Sequence, residues 1–224
     1  MPPPDRAVAV HTGVPYAPAE PAGGWTAAMA GVTGDVAALE GDVGGNAGYP
    51  SAVQAVVDLY GPTDFLQMDE HVLPGACQDF DAVFGLSGCH GDPASPESLL
   101  LGRPIGTGPE AVRAANPVTH VGPGAPPFLI AHGREDAVVP RHRSELLFAA
   151  LAGAGVPATF SSLPGTGHSR TIVDPGTPTA EVRSTLPAVP WPVGTPPTLA
   201  TVQSSLRVAL DRPHGSGGLR PGRG

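Results

Sequence analysis

The chain contains no lysine. All twelve positive side chains are arginine, set against 20 acidic residues, for a net charge of −8 and a pI of about 5.3. A nucleic-acid binder needs a basic face to neutralise phosphate, and this composition lacks the excess. Charged residues are only 14% of the chain and aromatics 5%, against roughly 25% charged in an ordinary soluble domain. No apolar run reaches the roughly 18 residues that a spanning helix needs. The N-terminus, MPPPDRAVAVHTGVPYAP, has no cationic stretch followed by a long apolar one, so it does not read as a signal peptide. There are two cysteines, Cys77 and Cys89. Neither CxxC nor a Cys/His spacing suited to zinc is present. The pair is read either as one disulfide, which would mark an exported protein, or as two free thiols, with a cytoplasmic location as the default.

What is abundant is glycine and proline, 31 and 29 of 224 residues. Together they reach the level of roughly 25–30% at which low complexity becomes a live reading. With so much alanine and no lysine, however, the pattern matches the coding bias of a GC-rich genome. Hydrophobic periodicity is therefore the better guide to order, and 41% apolar content leaves material for one domain's core.

Residues 25–31 are small and helix-friendly, whereas 33–51 are broken by Gly, Asn and Pro and read as loop. Residues 53–59 form a β-branched run stopped by Gly61-Pro62, a buried strand. Residues 62–124 look long and irregular, with one helical candidate at Glu110–Ala115. A second apolar strand is expected at 127–131. An amphipathic helix follows over 141–154, with Leu146, Leu147, Ala150 and Leu151 on one stripe, and then a strand at 158–163. Strand, helix, strand at this spacing is a βαβ unit with a parallel sheet. The core is expected to include Val56, Val57, Phe128, Leu129, Ile130, Leu147 and Leu151. Seven prolines between 171 and 197 exclude a regular helix there. Residues 198–210 regain helical spacing, and the Gly/Arg-rich tail after Pro213 reads as disordered. The chain thus divides into a domain over 1–170 and a Pro/Gly-rich extension over 171–224.

The chemistry-bearing signal lies between 126 and 168. The strand ending at Ala131 runs into HGRED (132–136), and the strand at 158–163 runs into LPGTGH. Asp136 and His168 therefore fall just beyond the carboxyl ends of neighbouring strands, where open parallel sheets collect functional groups. An Asp so placed can orient an imidazole and stabilise its charge, leaving the other ring nitrogen as general base.

Several stretches together resemble the α/β-hydrolase fold, in its esterase branch of feruloyl-esterase-like and hormone-sensitive-lipase-like proteins. They are VQAVVDLYGPTDF (53–65), SPESLLLG (95–102), AANPVTHV (114–121), APPFLIAHGREDAVVP (125–140), SELLFAALAGAGVPATF (144–160) and LPGTGH (163–168). The HGxxD…VP…PGxGH part is also similar to prolyl-oligopeptidase-like peptidases. The resemblance implies a mostly parallel sheet flanked by helices and Ser-His-Asp acyl transfer on a small-molecule ester. It implies Asp136 as triad acid, His168 as triad base and His132 as a structural turn residue. It also suggests a small cap built from 62–124. No cofactor and no metal belong to that chemistry.

The G-x-S-x-G elbow, which holds the nucleophile on a strand-to-helix turn, aligns with Ala19-Glu20-Pro21-Ala22-Gly23. Pro21 stands where the serine belongs, and proline has no hydroxyl to attack with. Ser87 in GLSGC has no strand before it, Ser169 follows the base in the wrong order, and Thr26 lies inside a helix. The family's opening strands and its His/Gly-rich oxyanion loop find no good counterpart; His11-Thr12-Gly13 is a weak match. The expected protein is an incomplete hydrolase with reduced or absent activity. His71, His90, His120 and His142 show no metal-ligand spacing, Asp35–Asp42 lacks the pattern of a calcium loop, and Trp25 and Trp191 are too isolated to form a stacking platform.

Overall fold

A computed structural model describes residues 15–17, 20–21, 23–34, 36–40, 50–169, 172, 181–184, 202–203 and 206–207. The expectations for His11–Gly13, Asp35, Asp42, Trp191 and the tail after Pro213 lie outside these residues.

A short antiparallel hairpin of β1 (Pro15–Ala17) and β2 (Glu20–Pro21) leads into helix α1 (Gly23–Val32). A four-residue helix, α2 (Ala37–Glu40), follows in the stretch expected to be loop. The main sheet, among the described residues, has the order β3 (Val56–Leu59), β4 (Phe128–Gly133), β5 (Ala158–Leu163), β6 (Glu181–Ser184). The first three strands are parallel, with Val56 opposite Phe128 and Phe128 opposite Ala158, and β6 runs antiparallel to β5. This is the α/β-hydrolase architecture. Among the described residues no helix is long and apolar enough to cross a membrane.

Every residue of β4 and β5 is buried, as expected for parallel strands covered on both faces. One face meets α1 and helix α7 (His142–Gly153): Ala28, Val32, Val56, Phe128, Ile130, Leu147, Leu151 and Phe160 form one cluster. On the other face Leu129 packs with Val202, and Ala131 and Leu163 pack with Ile172. Six of the seven expected core residues are buried. Val57 is only half-buried, because its side of the edge strand β3 meets little beyond Leu129, Val202 and Leu206. On α7 the inward stripe is Arg143, Ser144, Leu147 and Leu151, while Leu146 and Ala150 are half-buried.

The segment 62–124 is far more ordered than its sequence suggests. It contains α3 (Ala76–Phe84), α4 (Pro96–Leu101), α5 (Pro109–Ala114) and α6 (Pro117–His120), joined by 3₁₀ turns. Each helix is too short to display a periodicity. Three of them instead start on proline, whose fixed φ suits the first turn, and Ser95 and Asn116 cap two with side-chain oxygens. Cys77 and Cys89 form a disulfide with Cα atoms 5.1 Å apart, tying α3 to the turn after it. A second cluster of Phe65, Met68, Ile105, Val112 and Val139 seats the segment against the loop after β4. β6 appears inside the proline-rich stretch; the prolines exclude helix there but not a strand.

Candidate active site

The site forms where β4 and β5 end. Gly133 closes β4, and a Cβ there would run into the carbonyl oxygen of Thr166. The absence of a side chain lets the two strand-end loops touch. They are then stitched together by backbone. Arg134 N–H donates to Leu163 O (2.9 Å), Glu135 N–H to Thr166 O (3.1 Å), and Thr166 N–H to the Glu135 carboxylate (2.9 Å). This stitching brings Asp136 and His168, 32 residues apart, to a 2.9 Å contact between Asp136 Oδ2 and His168 Nδ1. The carboxylate is fully enclosed, while the imidazole keeps 13% of its side chain in solvent. Nδ1 is engaged, so Nε2 is the nitrogen left for proton transfer.

Asp136 has two further anchors on its other oxygen: Oδ1 accepts from Val138 N–H at 2.9 Å and Val139 N–H at 2.8 Å. Burial opposes its charge. Hydrogen bonds from His132 and His168 outweigh that penalty and hold the carboxyl well below the usual carboxylate range. His132 Nε2 stands 3.2 Å from Asp136 Oδ2. The sequence marked His132 as a turn residue and gave no sign of this contact.

Two other residues at the site escaped sequence reading. Tyr60, directly after β3, has φ 47°, a left-handed backbone that a bulky side chain rarely adopts. Its ring lies 4.2 Å from that of His168, centroid to centroid. The available signal was its place just before Gly61-Pro62. Asp58, inside the apolar run VVDL, is completely buried; Oδ1 accepts from Gly61 N–H at 2.9 Å and Oδ2 has no partner. Burial pushes its carboxyl up to about 6. A lone carboxylate in a β-branched strand was the visible clue.

Pro21 ends β2, two residues before α1 begins. Gly24, in the first turn of α1, packs on the end of β3: a Cβ there would stand 2.5 Å from Leu59 O and 2.6 Å from Asp58 Oδ1. Of the alternative nucleophiles, Ser87 lies in an exposed bend and Thr26 is exposed on α1.

The GPTD and ANP motifs prove to be fasteners. Thr63 Oγ1 donates to Arg143 O, Arg143 donates to Asp64 O, and Asn116 Oδ1 accepts from Asp64 N–H. His90 is buried between the Asp69 carboxylate (2.7 Å) and Val138 O (2.8 Å). Both partners accept, so both ring nitrogens carry hydrogen. Although burial opposes it, these contacts raise its pKa. Asp69, Cys89 and His90 lie within 4.8 Å of one another, but the Cys89 sulfur is spent on Cys77. His71 and His142 stack with centroids 3.8 Å apart, and His120 bonds Ala114 O.

The comparisons with known proteins agree with this architecture. The BD-FAE family model matches residues 19–151, which include Asp136 and stop short of His168. Esterase LipC of Mycobacterium tuberculosis is 29% identical over 154 residues, covering 68% of this chain and 34% of that protein. A solved truncated form of a carbohydrate esterase from gut microbiota is 34% identical, with a TM-score of 0.54 over 66% of this chain and 50% of that one. A bifunctional GH43-CE protein of Bacteroides eggerthii is 30% identical with a TM-score of 0.54, over 66% of this chain and 20% of that one. The chain spans about a third of LipC and half of the truncated carbohydrate esterase. With more than half of its residues matched, the chain belongs to the BD-FAE family, a feruloyl-esterase-like branch of the α/β-hydrolases.

Proposed function

We propose that this chain carries the acid and base of a Ser-His-Asp carboxylic ester hydrolase but not its nucleophile, and that its turnover is reduced or absent. The observation that carries the reading is the 2.9 Å Asp136–His168 pair at the ends of adjacent parallel strands. Asp136 would hold His168 by Nδ1 and stabilise the imidazolium, and Nε2 would take the proton of an attacking hydroxyl. Pro21 occupies the elbow position and offers none. In such triads, losing the serine alone lowers kcat by about 10⁶, nearly as much as losing all three groups. The substrate class is a small carboxylic ester. The carbohydrate esterase among the solved relatives supports an acylated sugar as one form of it. Residues 62–124 would act as a cap over the strand ends. The Cys77–Cys89 disulfide favours an oxidising compartment.

The test is hydrolysis of a short-chain aryl ester by the purified chain, beside a His168→Ala control. Expected is turnover at or near the control. Pro21→Ser alone should restore little, because position 19 holds alanine where the elbow has glycine. Robust turnover that disappears in His168→Ala would overturn the assignment of position 21.

A further inference from the structure

His132, the next-to-last residue of β4, has none of its surface exposed, so each ring nitrogen must find a protein partner. Nδ1 lies 2.7 Å from Ser144 Oγ, and Nε2 lies 2.9 Å from Val139 O. A carbonyl only accepts, so Nε2 carries the hydrogen, while Nδ1 shares a hydrogen bond with the Ser144 hydroxyl, which can donate or accept. The same Nε2 also lies 3.2 Å from Asp136 Oδ2, an ion-pair distance beside its hydrogen bond to the carbonyl.

The consequence concerns the plane of that carboxylate. Val138 and Val139 N–H both hold Oδ1, so both backbone donors are spent on one oxygen. Oδ2 is fixed by two imidazoles of different character. His168 keeps 13% of its side chain in solvent; His132 is locked between α7 and the loop after β4. Asp58, fully buried on β3 with Oδ2 unpaired, also interacts electrostatically with His132.

We infer that His132 is a positioning residue for Asp136: its buried Nε2, 3.2 Å from Oδ2, holds that oxygen in place and so aims the carboxylate at His168. This rests on reading Asp136 and His168 as acid and base, and it names the group that holds the acid in place. The buried donor also favours the ionised carboxylate, so its removal should be visible in Asp136 itself whether or not the chain turns over ester.

The experiment is a pH titration of the full chain carrying ¹³C-carboxyl aspartate, with Asp136 assigned through Asp136→Asn. In the unsubstituted chain the Asp136 carbon should stay at its ionised position to the lowest pH at which the protein is folded. In His132→Leu its midpoint should rise by roughly one pH unit or more, a larger rise than in His168→Ala. His132→Gln, which keeps an N–H near the same place, should move it back. A filling or packing role alone would be met by leucine and would not distinguish leucine from glutamine. The proposal is overturned if Asp136 in His132→Leu stays as ionised as before, or if His168→Ala releases it as much. Should His132→Leu fail to fold, the ring ¹⁵N resonances of His132 decide: they must move on Asp136→Asn, and unmoved resonances overturn the proposal. Ester turnover independent of His168 would remove the acid–base reading yet leave this titration intact, so the two failures are separable.

Discussion

Two aspartates sit buried at neighbouring strand ends and meet opposite fates. Asp58, beside the first turn of α1, receives one backbone N–H and has an unpaired oxygen. Asp136, beside the loop after β5, receives two backbone N–H groups and faces two imidazoles. Burial alone raises a carboxyl's pKa, and only compensating donors reverse the sign. Asp58 has too few and is pushed up to about 6. Asp136 has enough and is held well below the ordinary range. The acid–base corner is therefore electrostatically finished, while the corner at the start of α1 is not. The finished one rests on a single βαβ unit, with its dyad fixed by Gly133 and the Glu135–Thr166 stitching. None of that depends on the residue at position 21.

The largest effect should come from unmaking the finished corner. Asp136→Asn removes a buried charge that several donors serve, and such a break typically costs about 3–5 kcal/mol. The sign with pH follows from its depressed pKa. Its contribution is present above the unfolded carboxyl range near 4 and fades as pH falls below it. Denaturant unfolding of both proteins across pH should show the difference shrinking on acidification; a difference that grew instead would contradict the donor count.

Asp58→Asn should behave in the opposite sense. With a folded pKa above the unfolded one, the native state binds more protons, so Asp58's contribution is favourable below about pH 4 and is lost as pH rises through 6. From 3.8 to about 6, the swing is about 3 kcal/mol. The stability of the asparagine variant relative to the parent should rise by that order between pH 4 and 7. A pH-independent difference would mean that Asp58 is not charged at a penalty.

The acid–base corner was legible in the sequence because both of its residues follow strong apolar strands. PFLIA and ATFSSL announce buried β, the stripe between them announces the crossover helix, and the loop positions of Asp136 and His168 follow. The donors on Asp136 were not legible. His132 and Val138 acquire that role only when the turn closes, and His90 reaches Val138 from 48 residues away. Helices α3, α4 and α6 escaped for another reason: at four to nine residues they are set by proline starts, caps and tertiary packing, which leave no 3.6-residue pattern. β6 and the burial of Ile172 and Val202 depend likewise on what the second face of the sheet needs covered.

The two glycine contacts sharpen the contrast next. Gly133→Ala drives a Cβ into the Thr166 carbonyl, and Gly24→Ala drives one onto Leu59 O. Overpacking of this kind costs about 1–3 kcal/mol, so thermal midpoints should fall in both. Only the first should part the loops and loosen the Asp136–His168 bond, read from the ring ¹⁵N resonances of His168. If Gly24→Ala perturbed His168 as strongly, the two corners would be one unit and the comparison would fail.

The smallest effect is expected in the segment 62–124, which contacts both α1 and the loop after β4. Asn116 Oδ1 caps α6 through Val118 N–H at 3.1 Å and also accepts Asp64 N–H at 3.2 Å, while Trp25 of α1 donates to the neighbouring Ala115 O at 2.8 Å. One side chain thus joins the helices of 62–124 to the GPTD turn. Asn116→Ala leaves two backbone donors without that acceptor. The position is half-buried, so water replaces part of the loss and the cost should be about 1 kcal/mol. Asn116→Asp retains the acceptor and adds a negative charge at the start of a helix, which is favourable; it should recover most of the stability. Hydrogen exchange should localise the change in the alanine variant to residues 62–68 and 116–121, with the amides of Arg134 and Glu135 as protected as before. Loss of protection at those two amides would show that the acid–base corner depends on the segment 62–124, and that the βαβ unit alone does not hold the dyad.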